Sequence, residues 1–377
     1  MTRQRLRGSI KQKEKVMKSL LGIGVAACAG LVLGAISIPA PAKAGEWYPL
    51  AFNGKSVGGK EGKFDYVPLS ATGKASKNWS ICVSFPHMKD AFFLAANYGI
   101  VDEAKKLGVS VQTFDAGGYT ELGKQISQIE DCVAGGANAL IMVAIARDGM
   151  DNLLGELKRK NIPVVDAING VSSKDTAVRV LTSPYDEGLR AGQYLAANHP
   201  VGSKQVNVAW LPGPAGAGFV VAFDNGFKEG IKDSAVHIVE TKYGDIGKEV
   251  QARLVEDILQ AHKDIEYVVG TAVMIEGAYP LLRARGIEDK VKLVSVYTTP
   301  GVYEFLKTGG IEAGGASPVV STARIALDEA IRILEHKVEY TDVGTIGKVY
   351  SNSDIASLDR GTVLAPNNYR PEFSYKP

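Results

Sequence analysis

The sequence predicts an α/β protein of two doubly wound parallel-sheet lobes joined by three hinge crossings. Three observations point there. From Trp79 onward, short β-branched runs alternate with helical patterns, the signature of a parallel sheet covered on both faces. The cycle runs once to Leu181 and then restarts, giving two successive βα sets. About 333 residues remain after an N-terminal export segment, more than one comfortable core holds.

Taken in order, the first strand spans 79–85 and its helix 90–107, with Phe93, Ala96, Ile100, Ala104 and Leu107 at three-to-four spacing. Strands at 109–114, 139–143, 163–167 and 178–181 follow, with helices 120–133 and 149–160 between them. The second set has helices 187–198, 220–231, 248–262 and 276–285 and strands 205–211, 236–241, 267–270 and 292–296. Helix 302–308 and strand 311–316 complete it, before a long amphipathic helix, 320–336, returns to the first lobe. Lobe one then comprises 78–182 plus 318–338, and lobe two 183–317 plus 339–377, with linkers near 182–185, 316–319 and 338–341. Three crossings make a hinge that opens and closes without unfolding either lobe. Residues 45–77, rich in Gly, Lys and Ser with Trp47, Tyr48, Pro49 and Phe52 near the start, read as an extended N-terminal arm.

The first 44 residues indicate where the rest works. Lys11, Lys13, Lys15 and Lys18 lead into an apolar stretch, 20–38, that closes on Ala42-Lys43-Ala44, a secretory signal peptide cleaved after Ala44. Met1 or Met17 serves as the start. Gly22, Gly24, Gly30 and Gly34 interrupt the stretch and argue against a membrane anchor. The apolar residues after Cys28 argue against a lipid-tethered cysteine there. These 44 residues hold eight of the 43 Lys/Arg and one of the 41 Asp/Glu, so the exported part carries 35 basic against 40 acidic side chains. A mildly acidic chain without a basic patch argues against a nucleic-acid partner. Cys82 and Cys132 survive processing in a compartment that permits disulfides; a bridge and two separate buried thiols are both open.

Catalytic signatures are missing from the sequence. It has no G-x-S-x-G elbow, no G-x-x-x-x-G-K-S/T loop, and no C-x-x-C or H-E-x-x-H spacing. No cofactor or metal is expected, and the protein is not expected to be an enzyme. Of five scattered histidines only His87, after the first strand, is placed to face a cleft. The glycine-rich stretch 213–218 follows a strand and precedes a helix, but Pro214 interrupts a dinucleotide pattern, so it reads as a tight turn beside the cleft.

What remains is an aromatic and acidic cluster at strand carboxyl ends, where open α/β sheets bind ligands. It comprises His87, Asp90 and Phe92/Phe93 after the first strand, Asp115 to Tyr119 after the second, Ser183-Pro184-Tyr185-Asp186, Tyr243, and Tyr297-Thr298-Thr299-Pro300. Because Phe92 and Phe93 are adjacent on a helix, one of the two is expected to face the cleft. Converging ring faces suit a small methylated ammonium-type group through cation–π attraction.

Several segments together resemble the periplasmic TorT family: Phe85-Pro86-His87-Met88-Lys89-Asp90, Asn97-Tyr98-Gly99, Ala116-Gly117-Gly118-Tyr119, Cys132, Gly136-Ala137-Asn138-Ala139, Val294-Ser295-Val296-Tyr297, Gly301-Val302-Tyr303 and Tyr369-Arg370-Pro371-Glu372-Phe373-Ser374. The resemblance runs from about Trp79 to the C-terminus. It implies the ribose-binding-like fold of type I periplasmic binding proteins, binding of trimethylamine N-oxide (TMAO) in the periplasm, and a partner in the periplasmic domain of a sensor histidine kinase. It puts Asp90, Tyr119 and Tyr297 at pocket positions and Phe93 where the family carries tryptophan. It puts Asp186 where the family has a second pocket tryptophan, when the helix 188–192 is aligned on its glycines. It also implies pairing of Cys82 with Cys132, which strand and helix periodicity permits. The implied mechanism is ligand-biased hinge closure. A sugar- or small-polar-solute receptor of an ABC transporter is the competing class, with Arg147 and Asn169 as its further polar groups; an exported enzyme lacks a nucleophile–base pair.

Overall fold

The structure, a computed structural model, describes residues 46–377. The signal peptide, both candidate start methionines and Cys28 lie outside the described residues. The chain opens with an antiparallel hairpin, β1 (Leu50–Ser56) and β2 (Glu61–Tyr66). Then come β3 (Ser80–Phe85), α1 (Ala91–Leu107), β4 (Ser110–Asp115), α2 (Leu122–Ala134), β5 (Ala139–Met142), α3 (Asp151–Arg159), β6 (Val164–Ile168) and β7 (Val178–Leu181). The second set is α4 (Pro184–Asn198), β8 (Val206–Gly213), α5 (Gly218–Gly230), β9 (Val236–Tyr243), α6 (Lys248–Ala261), β10 (Tyr267–Gly270), α7 (Ala272–Arg285), β11 (Lys292–Ser295), α8 (Pro300–Lys307) and β12 (Ala313–Ala316). The chain closes with α9 (Val319–Leu334), β13 (Tyr340–Thr345), β14 (Lys348–Tyr350), α10 (Arg360–Val363) and β15 (Ser374–Tyr375).

These strands form a nine-stranded sheet of order β15-β4-β3-β5-β6-β7-β13-β1-β2 and a six-stranded sheet of order β14-β12-β11-β10-β8-β9. Both are parallel through their centres, and the antiparallel pairs are confined to the edges. The period-two alternation of β3 explains why its sheet needs helices on both sides. Ile81 and Val83 join the core under α1 and α9, while Cys82 joins the opposite core under α2 and α3. There Cys82 and Cys132 of α2 are joined as a disulfide, Cα atoms 6.2 Å apart.

Helix α9 is the spine of the first lobe. It packs along α1 and across β5, β6 and β7, and is buried on nearly every face. Most of its buried polar groups find local partners, although one Glu329 oxygen has none. Arg332 pairs with Asp328 at 2.7 Å, and Tyr66 donates to Asp328 (2.7 Å) and Glu329 (2.9 Å).

Three features differ from the sequence reading. The arm is a hairpin that adds β1 to β13, because Phe52, Phe64 and Tyr66 alternate onto one face and pack with Tyr340. Residues 339–377 do not all join the second lobe. β13 pairs with β7 and β15 with β4, both in the first sheet, and only β14 joins the second. The third crossing is therefore the Ile346-Gly347 link between β13 and β14, since Val343 and Thr345 bury their side chains in the first lobe. The tail then crosses back once more to reach β15.

Candidate functional site

The elements that line the interlobe cavity present strand carboxyl ends, the loops after them or the first two turns of a helix to it, where a doubly wound sheet leaves its crevice. The cavity measures about 40 Å³ and is lined by residues of both lobes and of the hinge.

From the first lobe, β3 ends in Phe85 and the turn carries His87 to Asp90, the N-cap of α1, whose Oδ1 accepts the Phe92 N–H at 2.9 Å. That cap fixes the first turn of α1, so Phe92 and Phe93 both line the cavity rather than one of them. After β4, Asp115 accepts the Gly117 N–H at 2.7 Å and Gly117 takes φ +102°, a bend that delivers Tyr119. After β6, Asn169 donates to the Ala144 carbonyl (2.8 Å) and to the Tyr119 hydroxyl (3.2 Å). The Tyr119 O–H, accepting that bond, keeps its own proton free for a ligand.

From the hinge and second lobe come Thr182, Pro184, Glu187, Phe219, Phe223, Ile246 and Tyr297. Helices α4 and α5 touch backbone to backbone. A Cβ on Gly188 would collide with the Phe223 carbonyl, and one on Gly226 with the Tyr185 carbonyl. That approach sets Glu187 beside Phe219 and Phe223. The lobes meet directly: the Tyr297 hydroxyl donates to Asp90 Oδ2 at 2.6 Å, and the Tyr297 ring sits 5.1 Å from Phe92. Tyr119 lies 5.1 Å from Phe219 across the cleft and 5.3 Å from His87.

Closure leaves two carboxyls dry. Burial, against the capping and Tyr297 hydrogen bonds, raises Asp90 to about 6. Burial likewise raises Glu187 to about 7. Burial, then the Lys89 charge, lowers His87 to about 4, so its imidazole is neutral at neutral pH. Both tyrosine hydroxyls are pushed up by burial, Tyr297 further by the Asp90 charge.

Of the sequence-predicted site residues, Asp90, Phe93, Tyr119 and Tyr297 converge here. Asp186 does not. Helix α4 starts at Pro184, so position 186 faces out and position 187 turns in. Tyr243 also lies outside, 45% exposed at the end of β9, and Ile246 fills its place. Asn169 lines the cavity and Arg147 does not. Glu187, Phe219 and Phe223 were missed; the signal for the phenylalanines was their position in the first turns of the helix after the glycine-rich turn. Among the described residues no His/Cys/Asp/Glu group has metal-holding geometry. A larger groove, about 960 Å³, lies between the arm, α9 and the tail, away from any strand carboxyl end.

A family model for the periplasmic binding protein domain matches residues 81–337. Periplasmic protein TorT of Escherichia coli K12 is 30% identical over 312 residues, 82% of this chain and 89% of its own. The chain belongs to the periplasmic binding protein family and resembles its TorT members. A crystal structure of the TorS sensor domain–TorT complex in the presence of TMAO superposes with TM-score 0.72 at 32% identity, covering 78% of this chain and all of that one. A Bradyrhizobium sp. BTAi1 protein, an ABC transporter solute binding protein with bound bis-tris, is 50% identical with TM-score 0.76, covering 87% of this chain and 99% of that one. The type I periplasmic-binding-protein fold read from the sequence is the fold of this family.

Proposed function

We propose that this chain is a periplasmic solute-binding sensor that holds TMAO or a similar small methylated amine between its lobes. It relays its state to the periplasmic domain of a sensor histidine kinase by hinge closure, without catalysis. The observation that carries the reading is the cavity itself. Its 40 Å³ accommodates about three water-sized groups, far below the roughly 300 Å³ where drug-sized pockets begin. Four phenylalanine rings wall it, one free tyrosine O–H enters it, and the residues on its two sides belong to different lobes. Such a space suits a few methyl groups around one nitrogen. The likeness to TorT, crystallised with the TorS sensor domain, supports the kinase as partner.

Calorimetric titration of the exported chain (45–377) with TMAO and trimethylamine tests the ligand class, and small-angle scattering tests closure. Absence of heat at millimolar concentrations of both removes this reading. Gel filtration with the kinase's periplasmic domain tests the partner; separate elution with and without ligand removes that part.

One observation favours a second reading, a small-polar-solute receptor of an ABC transporter: the 50% identical Bradyrhizobium relative is described as such a protein. Binding of a pentose or another polyol in the same calorimeter, with no response to methylamines, selects it.

A further inference from the structure

We propose, on the strength of that reading of the cavity, that Glu187 makes the site select a protonated small amine, which brings its own N–H donor, over the neutral N-oxide. Glu187 is 4% exposed, lines the cavity, and its Oε1 has no donor in full hydrogen-bond geometry, the Ser317 and Thr182 hydroxyls being its near neighbours in the chain. A buried carboxylate oxygen left without a donor is costly, and a ligand that supplies one removes the cost.

The balance of donors and acceptors around the cavity points the same way. The Tyr297 O–H is committed to Asp90, and Asn169 gives its N–H groups to Tyr119 and Ala144. The Tyr119 O–H and the one ring N–H of the neutral His87 remain for an acceptor. Seeking a donor stand the Glu187 carboxyl and the other ring nitrogen of His87, which is 2% exposed and unpartnered. An N-oxide oxygen accepts only, so it is met by Tyr119, and by Glu187 only when that carboxyl is protonated. An ammonium N–H meets Glu187, and its charge offsets the carboxyls that closure desolvates.

Two cavity carboxyls titrate near neutrality, Glu187 at about 7 and Asp90 at about 6. Asp90 already accepts from Phe92 N–H and the Tyr297 hydroxyl, so Glu187 is the one left to meet a ligand donor, and Glu187→Gln separates their contributions. His87, Asp90 and Tyr119 approach Glu187 from the first lobe and Tyr297 from the second. Asp245 stands beside Ile246 after β9, and Asp186 and Arg190 lie on α4. Helix α5 adds only Phe219 and Phe223 to the lining, β12 contributes no ionisable side chain, and Lys348 of β14 is paired with Asp354 at 2.9 Å. A bound cation lowers the carboxyl's pKa, so ammonium binding releases a proton from a group that burial holds at about 7. Binding of an N-oxide oxygen favours the protonated carboxyl instead.

The test is calorimetry on the exported chain with trimethylamine hydrochloride and with TMAO, at pH 6 and pH 8, in two buffers of different ionisation enthalpy. Trimethylammonium is expected to bind at least about tenfold tighter than TMAO at pH 8, to tighten between pH 6 and pH 8, and to release protons. Glu187→Gln is expected to weaken trimethylammonium about tenfold to a hundredfold and to leave TMAO unchanged or tighter. TMAO binding tighter than trimethylammonium at both pH values overturns the proposal and leaves the sensor reading standing. Silence with both ligands overturns the sensor reading and this proposal with it. Should Glu187→Gln fail to fold, the unmodified chain decides alone: trimethylammonium affinity flat or falling from pH 6 to pH 8 overturns the proposal.

Discussion

Removing one oxygen at Tyr297 should open the molecule. The Tyr297 hydroxyl is a direct hydrogen bond from the second lobe to the first, 2.6 Å from Asp90 Oδ2 in a buried site. A hydrogen bond to an ionised group contributes about 1.5–3 kcal/mol net. Tyr297→Phe keeps the ring 5.1 Å from Phe92 and leaves the Asp90 cap on Phe92 N–H in place, so the loss is confined to the closed form. A loss of about 2 kcal/mol lowers the closed-to-open ratio about thirtyfold and weakens ligand binding by at most that factor. The assay is an interlobe fluorescence pair on the free protein, read beside calorimetric affinity and the melting temperature. A closed fraction and an affinity both within about twofold of the unmodified chain would refute the latch.

Four further outcomes are expected. Tyr119→Phe keeps the ring against Phe219 but removes the free donor, and should weaken TMAO about tenfold by calorimetry. Gly218→Val should hold the lobes ajar, because a Cβ there sits 2.8 Å from Arg147 Cβ of the first lobe; scattering should show a larger radius of gyration in saturating ligand. The double variant Cys82→Ala/Cys132→Ala should lose about 4 kcal/mol in denaturant melts, the loop-closure value for a separation of 50 residues, with ligand affinity unchanged. Melting temperature should fall from pH 6 to pH 8. Glu187 and Glu103, both raised by burial to about 7, and Glu329, raised by burial to about 8, bind protons more tightly folded than unfolded, so their ionisation costs stability as pH rises. His87, lowered to about 4, acts oppositely below its ordinary value and pulls stability down in acid. Glu187→Gln should flatten part of the alkaline slope.

The legible parts of this fold were those with strong periodicity. Strands such as β3 and β8 are apolar on both faces because both faces are covered, and a helix such as α9 shows its stripe plainly. The ends were harder to read. Helix α4 begins at Pro184, three residues before its apolar pattern starts, and that extra turn decides whether position 186 or 187 enters the cavity. Pro184 at a first helical position was the available signal. Tyr243 was misplaced because a strand's carboxyl end fixes the neighbourhood of a residue but not which way a loop turns after it. The hairpin of the arm hid in a polar composition although Phe64 and Tyr66 alternate in β2. Its register depends on β13, almost three hundred residues away, and local sequence carries no record of that pairing.

On the proposed reading, the cavity's chemistry is the source of the differential affinity that hinge closure requires. An empty closed form holds Asp90 and Glu187 in a dry space, their pKa values raised to about 6 and about 7, so at neutral pH closure works against their ionisation. The Tyr297–Asp90 bond and the edge-to-face and tilted ring contacts between the lobes oppose that cost, leaving a balance that a small guest can tip. A ligand touching only one lobe shifts nothing, however tightly it binds. One held between Phe93 and Tyr119 on one side and Glu187, Phe219 and Tyr297 on the other has its full set of contacts only when the lobes meet. On that reading, the charge that opposes closure without a ligand is also what makes binding specific. Neutralising the carboxyl that takes no part in the Tyr297 latch, by Glu187→Gln, should leave a protein that closes more readily without ligand and gains less from binding it.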